Sequence, residues 1–234
     1  MRCRALWLDL DYTLYDMGMY VELAFNDIAQ ALSERTGVLG REVFSAIQAS
    51  FDKHGSMYGH LFDVALADLG LRSEENIKVC VSIYRNPPSL ASKPLVAYAD
   101  TFPLLAGVAG RCCVGILTNG NPDMQRRKIE SLRLFDHVDH IVYASAFAPK
   151  PAVDAYLHAA SLCGCSPEEM VYVGDNPCID FSGAKRAGCG TVRVLRGEFM
   201  REQGNEEEID LSVESLGGLC DILEFMPRQE GEAR

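Results

Sequence analysis

Apolar residues follow two different rhythms along this chain. Short, mostly apolar runs occur at 4–10 (Arg-Ala-Leu-Trp-Leu-Asp-Leu), 112–117 (Cys-Cys-Val-Gly-Ile-Leu), 140–143 (His-Ile-Val-Tyr), 170–173 (Met-Val-Tyr-Val) and 191–195 (Thr-Val-Arg-Val-Leu). Runs of this length, bounded by polar residues, read as strands buried on both faces, as in a parallel sheet. Between the later runs the apolar positions take a helical period. In 122–134, Pro122 and Asp123 suit a helix start, and Met124, Ile129 and Leu132 supply the apolar stripe. Residues 151–163, opened by Pro151, and 180–187, stopped by Gly188, form two more such segments. Strand–helix–strand alternation predicts an α/β fold, a parallel sheet covered by helices on both faces.

The first strand breaks this rhythm. After Leu14 no convincing strand occurs until the run at 112. In 19–35, Val21, Ala24, Phe25, Ile28, Ala31 and Leu32 fall on one helical stripe. Segments 40–51, 56–69 and 74–85 also read as helices, separated by Gly37, Gly55 and Gly70. Asn86-Pro87-Pro88-Ser89, with Pro94 following, reads as a linker, and 98–110 resumes the core as a helix. The predicted organisation is a core of 1–14 plus 94–226, a small all-helical domain at 15–93 and a flexible tail at 227–234. Arg201-Glu202-Gln203-Gly204-Asn205 and the glutamates after it read as a solvated loop.

Composition narrows the partners. The 234 residues are 48% hydrophobic and 24% charged, the balance of a folded protein. Lys and Arg number 22 against 33 Asp and Glu, a net charge of −11. Such a chain repels phosphate backbones and anionic lipid, so neither nucleic acid nor membrane is an expected partner. No apolar run approaches the roughly 20 residues of a membrane span. The apolar start Ala5-Leu6-Trp7-Leu8 stops at Asp9, short of the about 7–15 residues of a signal peptide's core. The nine cysteines include Cys112-Cys113 and Cys163-x-Cys165, which lack structural-zinc spacing. They are read as reduced thiols filling core space in a cytoplasmic protein.

The chemistry collects where strands end. Asp9-Leu10-Asp11-Tyr12-Thr13-Leu14 follows the first strand, Thr118-Asn119-Gly120 the second, and Gly174-Asp175-Asn176-Pro177 the fourth, with Asp180 nearby. Lys150 follows the third by several residues. Parallel α/β sheets bind ligands at the carboxyl ends of their strands. An isolated Asp-x-Asp more often caps a turn, but this set on one rim describes an anionic cluster suited to Mg²⁺. Asp9 is positioned to attack a phosphorus atom and form an aspartyl-phosphate, and Asp11 to exchange a proton with the leaving oxygen and then with water. Thr118, the amides of Asn119 and Gly120, and Lys150 are candidate donors to phosphate oxygens. Four Asp outweigh one Lys, so a small phosphorylated metabolite could approach only with a metal present.

These motifs make the sequence similar to the haloacid dehalogenase (HAD) superfamily of phosphohydrolases, over nearly the whole chain. Asp9-Leu10-Asp11-Tyr12-Thr13-Leu14, Leu117-Thr118-Asn119-Gly120, Lys150-Pro151 and Gly174-Asp175-Asn176-Pro177-Cys178-Ile179-Asp180 match the four family motifs in order. The resemblance implies a Rossmann-like core and a helical C1-type cap, as in subfamily I. It implies Asp9 as nucleophile, Asp11 as acid/base, and Thr118 and Lys150 on the phosphoryl group. The Asp9 side chain, the Asp11 carbonyl and Asp175 would hold Mg²⁺, with Asp180 in support. Gln125-Arg126-Arg127-Lys128-Ile129-Glu130 and Phe181-Ser182-Gly183-Ala184-Lys185-Arg186-Ala187-Gly188 resemble the branch of house-cleaning nucleotidases and N-acylneuraminate-9-phosphatase. Two positions depart from the family. Ala144-Ser145-Ala146-Phe147-Ala148-Pro149 lacks its acidic residue and glycine, and Tyr12 stands where relatives carry Gly, Asp or Asn. Tyr12 is expected to narrow the pocket or to pack against the cap. The expected activity is a Mg²⁺-dependent phosphomonoesterase, monomeric or homodimeric. A phosphomutase and a non-catalytic binding protein on the same fold are the alternatives. In the helical domain Tyr20 reads as a substrate-stacking ring or as packing, and His54, Met57, Tyr58 and His60 as a polar-aromatic patch.

Overall fold

A computed structural model describes residues 1–226; the tail expected at 227–234 lies outside them. The chain divides into two compact units, Met1–Met17 together with the chain from Val96 onward, and Gly18–Leu95.

The first unit is built on a parallel sheet of six strands. These are β2 (Ala5–Leu8), β3 (Cys113–Thr118), β4 (His140–Tyr143), β5 (Met170–Gly174), β6 (Gly190–Val194) and β7 (Leu211–Val213), in the order β4-β3-β2-β5-β6-β7. A short parallel pair, β1 (Arg2–Cys3) with β8 (Glu224–Phe225), lies outside it. The chain starts at the centre with β2, builds outward through β3 and β4, then returns to β2's other side for β5, β6 and β7. That reversal sets the strand ends of β2, β3 and β5 side by side, the usual ligand crevice of an open α/β sheet. Register keeps those ends level: Leu8 pairs with both Ile116 and Val173.

Strand residues are apolar because both faces are covered. All four residues of β2 are buried. Trp7 pairs with Gly115 of β3, where a Cβ would come within 2.6 Å of the indole, so a glycine inside this strand makes room for the ring. Helix α5 (Thr101–Val108) precedes β3, α6 (Pro122–Ser131) follows it, α7 (Val153–Leu162) leads to β5 and α8 (Phe181–Ala187) to β6. Ala155, Tyr156, Ala159 and Ala160 of α7 pack with Trp7, Leu117, Val142 and Tyr172 in one buried cluster.

The two chain passages that bound the second unit are paired within the first. Tyr15 bridges Ala97, and the Tyr98 amide and Thr101 hydroxyl both donate to the Leu14 carbonyl. The second unit is helical: α1 (Met17–Thr36), α2 (Gly40–His54), α3 (Leu61–Asp68) and α4 (Glu74–Arg85). Phe25 of α1 is fully buried and packs against the rings of Phe44, Phe51, Phe62 and Tyr84. Tyr20 is buried and donates from its hydroxyl to the Tyr84 carbonyl at 2.5 Å, so it is packing within this unit. His54 stacks on Tyr58 with ring centroids 4.3 Å apart.

Several expectations need correction. Helix α7 begins at Val153, not at Pro151, because residues 150–152 form a turn that precedes it. Helix α3 begins at Leu61 rather than residue 56. Strand β7 was not expected; its three residues are only partly covered and carry no apolar run. The reading of all cysteines as reduced thiols also fails. Cys113 and Cys163 are joined in a disulfide, their Cα atoms 5.9 Å apart. They lie 50 residues apart, and the packing of α7 on the β3 side of the sheet brings them together. Cys3, Cys80, Cys112, Cys165, Cys178, Cys189 and Cys220 remain thiols. No helix among the described residues is long and apolar enough to cross a membrane.

Candidate active site

The strand ends bring together four carboxylates and two ammonium groups. Asp9 leaves β2 with its amide donating to the Val173 carbonyl at 2.8 Å, which extends the pairing with β5 by one residue. Its carboxylate accepts from Lys150 Nζ at 2.6 Å. The same ammonium donates to Asp180 Oδ1 at 2.7 Å and to the Tyr172 hydroxyl at 2.8 Å. Lys150 is 4% exposed and Asp180 fully buried, so this pair is held out of water. Asp180 is also fixed from its other oxygen, which accepts the Asn176 amide at 2.9 Å. A Cβ at Gly174 would collide with that carboxylate, which accounts for the glycine at the end of β5.

Asp175 lies beside Asp9. One of its oxygens accepts from the Thr13 hydroxyl at 3.3 Å; the other, Oδ2, is buried without any hydrogen-bond partner. Oxygens of Asp9, Asp175 and Asp180 lie within 4.8 Å of one another. A buried carboxylate oxygen with no donor is costly unless a cation meets it. The residues therefore fit a hard divalent cation with oxygen ligands. Burial, together with the charges of Asp180 and Asp11, pushes the Asp9 carboxyl up to about 7 against the pull of Lys150. Burial, together with the charges of Asp180 and Asp9, raises Asp175 well above the usual range. Lys150 moves the other way from what burial alone would give: Asp180 and Asp9 raise it above an ordinary lysine.

Asp11 stands apart from this cluster. Its Oδ1 accepts from Lys128 Nζ at 2.8 Å and from the Tyr15 hydroxyl at 2.5 Å, and its Oδ2 accepts from Gln125 Nε2 at 2.8 Å. Burial would raise it, but Lys128, Tyr15 and Gln125 outweigh burial and hold the carboxyl below the usual value. Gln125 also donates to the Thr118 hydroxyl at 2.6 Å. Helix α6 therefore orients both Asp11 and Thr118 through Gln125 and Lys128, one turn apart on its buried face.

Of the sequence-chosen residues, Asp9, Asp175, Asp180 and Lys150 meet directly. The Asp11 carboxylate turns to α6 instead of joining them. The Asn119 side chain does not face outward from the strand end: its Oδ1 accepts the Lys150 amide at 2.9 Å and its Nδ2 donates to the Lys150 carbonyl at 3.0 Å. It clamps the loop that carries the lysine. The Gly120 amide is engaged by Ser145 Oγ at 2.9 Å, so it is not an open donor. Ser145 belongs to the loop that departs from the family pattern. Sequence reading missed Lys128, Gln125, Tyr15 and Tyr172. Lys128 sits in a charged stretch, Arg126-Arg127-Lys128, where nothing marks one cation as fully buried.

The sequence matches the haloacid dehalogenase-like hydrolase family over residues 3–188. The chain belongs to this family. A glyceraldehyde 3-phosphate phosphatase of Methanocaldococcus jannaschii is 26% identical over 228 residues, which cover 96% of this chain and 99% of the relative. A phosphoserine phosphatase of Thermus thermophilus is 30% identical over 200 residues, covering 84% of this chain and 75% of that protein. Among solved structures, the magnesium-bound HAD hydrolase YfnB of Bacillus subtilis shares the fold, with a TM-score of 0.69 at 18% identity, over 95% of this chain and 99% of that one.

Proposed function

We propose that this HAD-like phosphatase hydrolyses phosphate monoesters of small metabolites through an aspartyl-phosphate on Asp9. The observation that carries the reading is the buried Asp9–Lys150–Asp180 arrangement beside the unpartnered Asp175 oxygen. Asp9 and Asp175 would hold Mg²⁺ with their side chains, Asp180 lying within reach, and the resemblance adds the Asp11 carbonyl. When bound, the cation offsets the excess negative charge and draws electron density from the phosphoryl group.

Lys150 and Asp180 position the Asp9 carboxylate for in-line attack on phosphorus. The Thr118 hydroxyl, oriented by Gln125, donates to a non-bridging oxygen. The P–O bond to the leaving group breaks as the bond to Asp9 forms, and the leaving oxygen takes a proton from Asp11. Asp11 rests ionised; the approach of a phosphate dianion raises its proton affinity and supplies the reason for it to protonate. Once ionised again, Asp11 takes a proton from water, whose oxygen releases phosphate from Asp9.

The substrates named for the two relatives are both three-carbon phosphate esters, and short esters of that kind are the proposed substrate class. Phosphate release would be measured on a panel of glyceraldehyde 3-phosphate, phosphoserine, nucleoside monophosphates, sugar phosphates and an aryl phosphate, each with Mg²⁺ and with chelator. Release from the three-carbon esters, lost with chelator, is expected. Asp9→Asn is expected to abolish turnover with an unchanged circular dichroism spectrum. Retention of most activity by that variant would overturn the covalent route.

A further inference from the structure

A second cluster of metal-ligating side chains lies at the opposite end of the sheet. Cys113 is the first residue of β3, His140 the first of β4, and Cys163 caps the end of α7. Their two sulfurs and an imidazole nitrogen lie within 4.8 Å of one another. Strand β3 runs from Cys113 to Thr118, so this cluster is separated from the catalytic rim by the strand's length, about 17 Å at 3.3 Å per residue. Cys113 and Cys163 are 7% and 4% exposed and His140 is partly exposed. All three line a cavity of about 740 Å³ whose other walls include Leu105, Ala109 and Asp139. On its far side the His140 ring stacks parallel to the indole of Trp7, centroids 6.3 Å apart, which fixes its plane.

A disulfide does not need an imidazole against its sulfurs, whereas two thiolates and an imidazole opening on a cavity are a donor set for a thiophilic divalent ion. We propose that in the reduced protein Cys113, Cys163 and His140 bind one Zn²⁺-class ion, and that the disulfide is the closed, metal-free state of the same site. The Cα separation of 5.9 Å belongs to the bridging range. A tetrahedral ion with Zn–S of about 2.3 Å places its sulfurs roughly 3.7 Å apart, a change that rotation about Cα–Cβ supplies. Reduction by a trialkylphosphine and water converts the disulfide to two thiols and the phosphine to its oxide. Metal binding then releases both thiol protons, and His140 binds through a neutral nitrogen. The fourth position faces the cavity. The carboxylate site on the other rim, with oxygen donors, selects a hard ion instead.

The test uses the full chain reduced with the phosphine, freed of it under anaerobic conditions, and titrated with Co²⁺ in excess Mg²⁺. The expected result is sulfur-to-cobalt charge-transfer absorption and intense visible bands of a four-coordinate ion, saturating at one Co²⁺ per chain. Quenching of Trp7, the sole tryptophan, should follow the same curve. Oxidised protein, Cys163→Ser and His140→Ala should each lose the signal, while Asp175→Asn, altered only at the other rim, should keep it. His140→Ala guards against a Cys163→Ser variant that fails to fold, because a partly exposed side chain is removed and the thiols are kept. Absence of the absorption in protein whose Cys113 and Cys163 thiols titrate as free would overturn the proposal. So would its persistence in both variants, which would place the ion on other thiols such as the neighbouring Cys3 and Cys112.

Discussion

Single residues here carry strain and charge that serve the strand-end site. Tyr12, directly after Asp11, has φ 55°, the left-handed region, at a cost of about 1 kcal/mol or more for a bulky side chain. Its ring lies against Gly197, itself at φ 71°, where any Cβ would overlap the ring. Within the core, then, Tyr12 packs under a loop of its own unit. Lys128 is the clearest case of a charge with a specific task. It is fully buried and neutralises Asp11. Lys128→Met leaves Asp11 with its hydroxyl and amide donors alone, so kcat should fall by about 10²-fold, the scale of a misplaced acid/base, with a smaller change in KM; steady-state kinetics on the preferred ester checks this. Asp100 shows the same balance as Asp11, away from the site. Burial opposes its ionisation, but Ser215, Arg196 and the Leu216 amide hold its carboxyl below the ordinary 3.8. The unfolded chain binds that proton more readily, so the contribution is complete above the ordinary value and is lost as pH falls below it. Denaturant midpoints measured from pH 6 downward should show an acid limb that is shallower in Asp100→Asn.

At the scale of elements, the site depends on close approaches between backbone segments. Gly183 of α8 lies against the Pro151 carbonyl, and a Cβ there would come within 2.7 Å of the Tyr156 ring in α7. Because Pro151 follows Lys150, Gly183→Ala should push the lysine loop as well as open the α7–α8 contact. The expected outcome is a loss of about 1–3 kcal/mol in unfolding free energy, as for other overpacked sites, with a fall in activity read in the same preparation. The apolar runs announced β2 to β6 to within two residues at either end, since burial of a parallel sheet favours predominantly apolar strands. Strand β7 escaped because it is only partly covered, and the start of α7 because the turn from Lys150 to Val153 replaces its first turn.

Across the whole molecule, charge is the dominant pattern. The chain carries a net charge of −11, and at the strand ends four carboxylates face Lys150 and Lys128, a formal excess of two negative charges. A divalent cation bound there would balance that excess. Mg²⁺ at 100 times its Kd should stabilise the native state by about 2.7 kcal/mol, roughly 5–10 °C in Tm for a chain of this size. Asp175→Asn should raise the Tm of the metal-free protein, since it removes a carboxyl whose ionisation burial, Asp180 and Asp9 all oppose, and should abolish the Mg²⁺-dependent increase. Differential scanning calorimetry with and without Mg²⁺ reads both effects.

The order of apolar runs and helical stripes was enough to determine the α/β core, its parallel strands and the helical segment after Leu14, because hydrophobic periodicity is a local property. The placement of Asp9, Thr118 and Asp175 at strand ends was equally legible, as each follows its run directly. Partners that come from distant segments were not. That Lys128 faces Asp11 across 117 residues, that Asn119 clamps Lys150, and that Cys113 meets Cys163 and His140 were decided by the packing of α6 and α7 on the sheet. A sequence records which side chains are present; which buried charges and thiols meet depends on how its helices cross its strands.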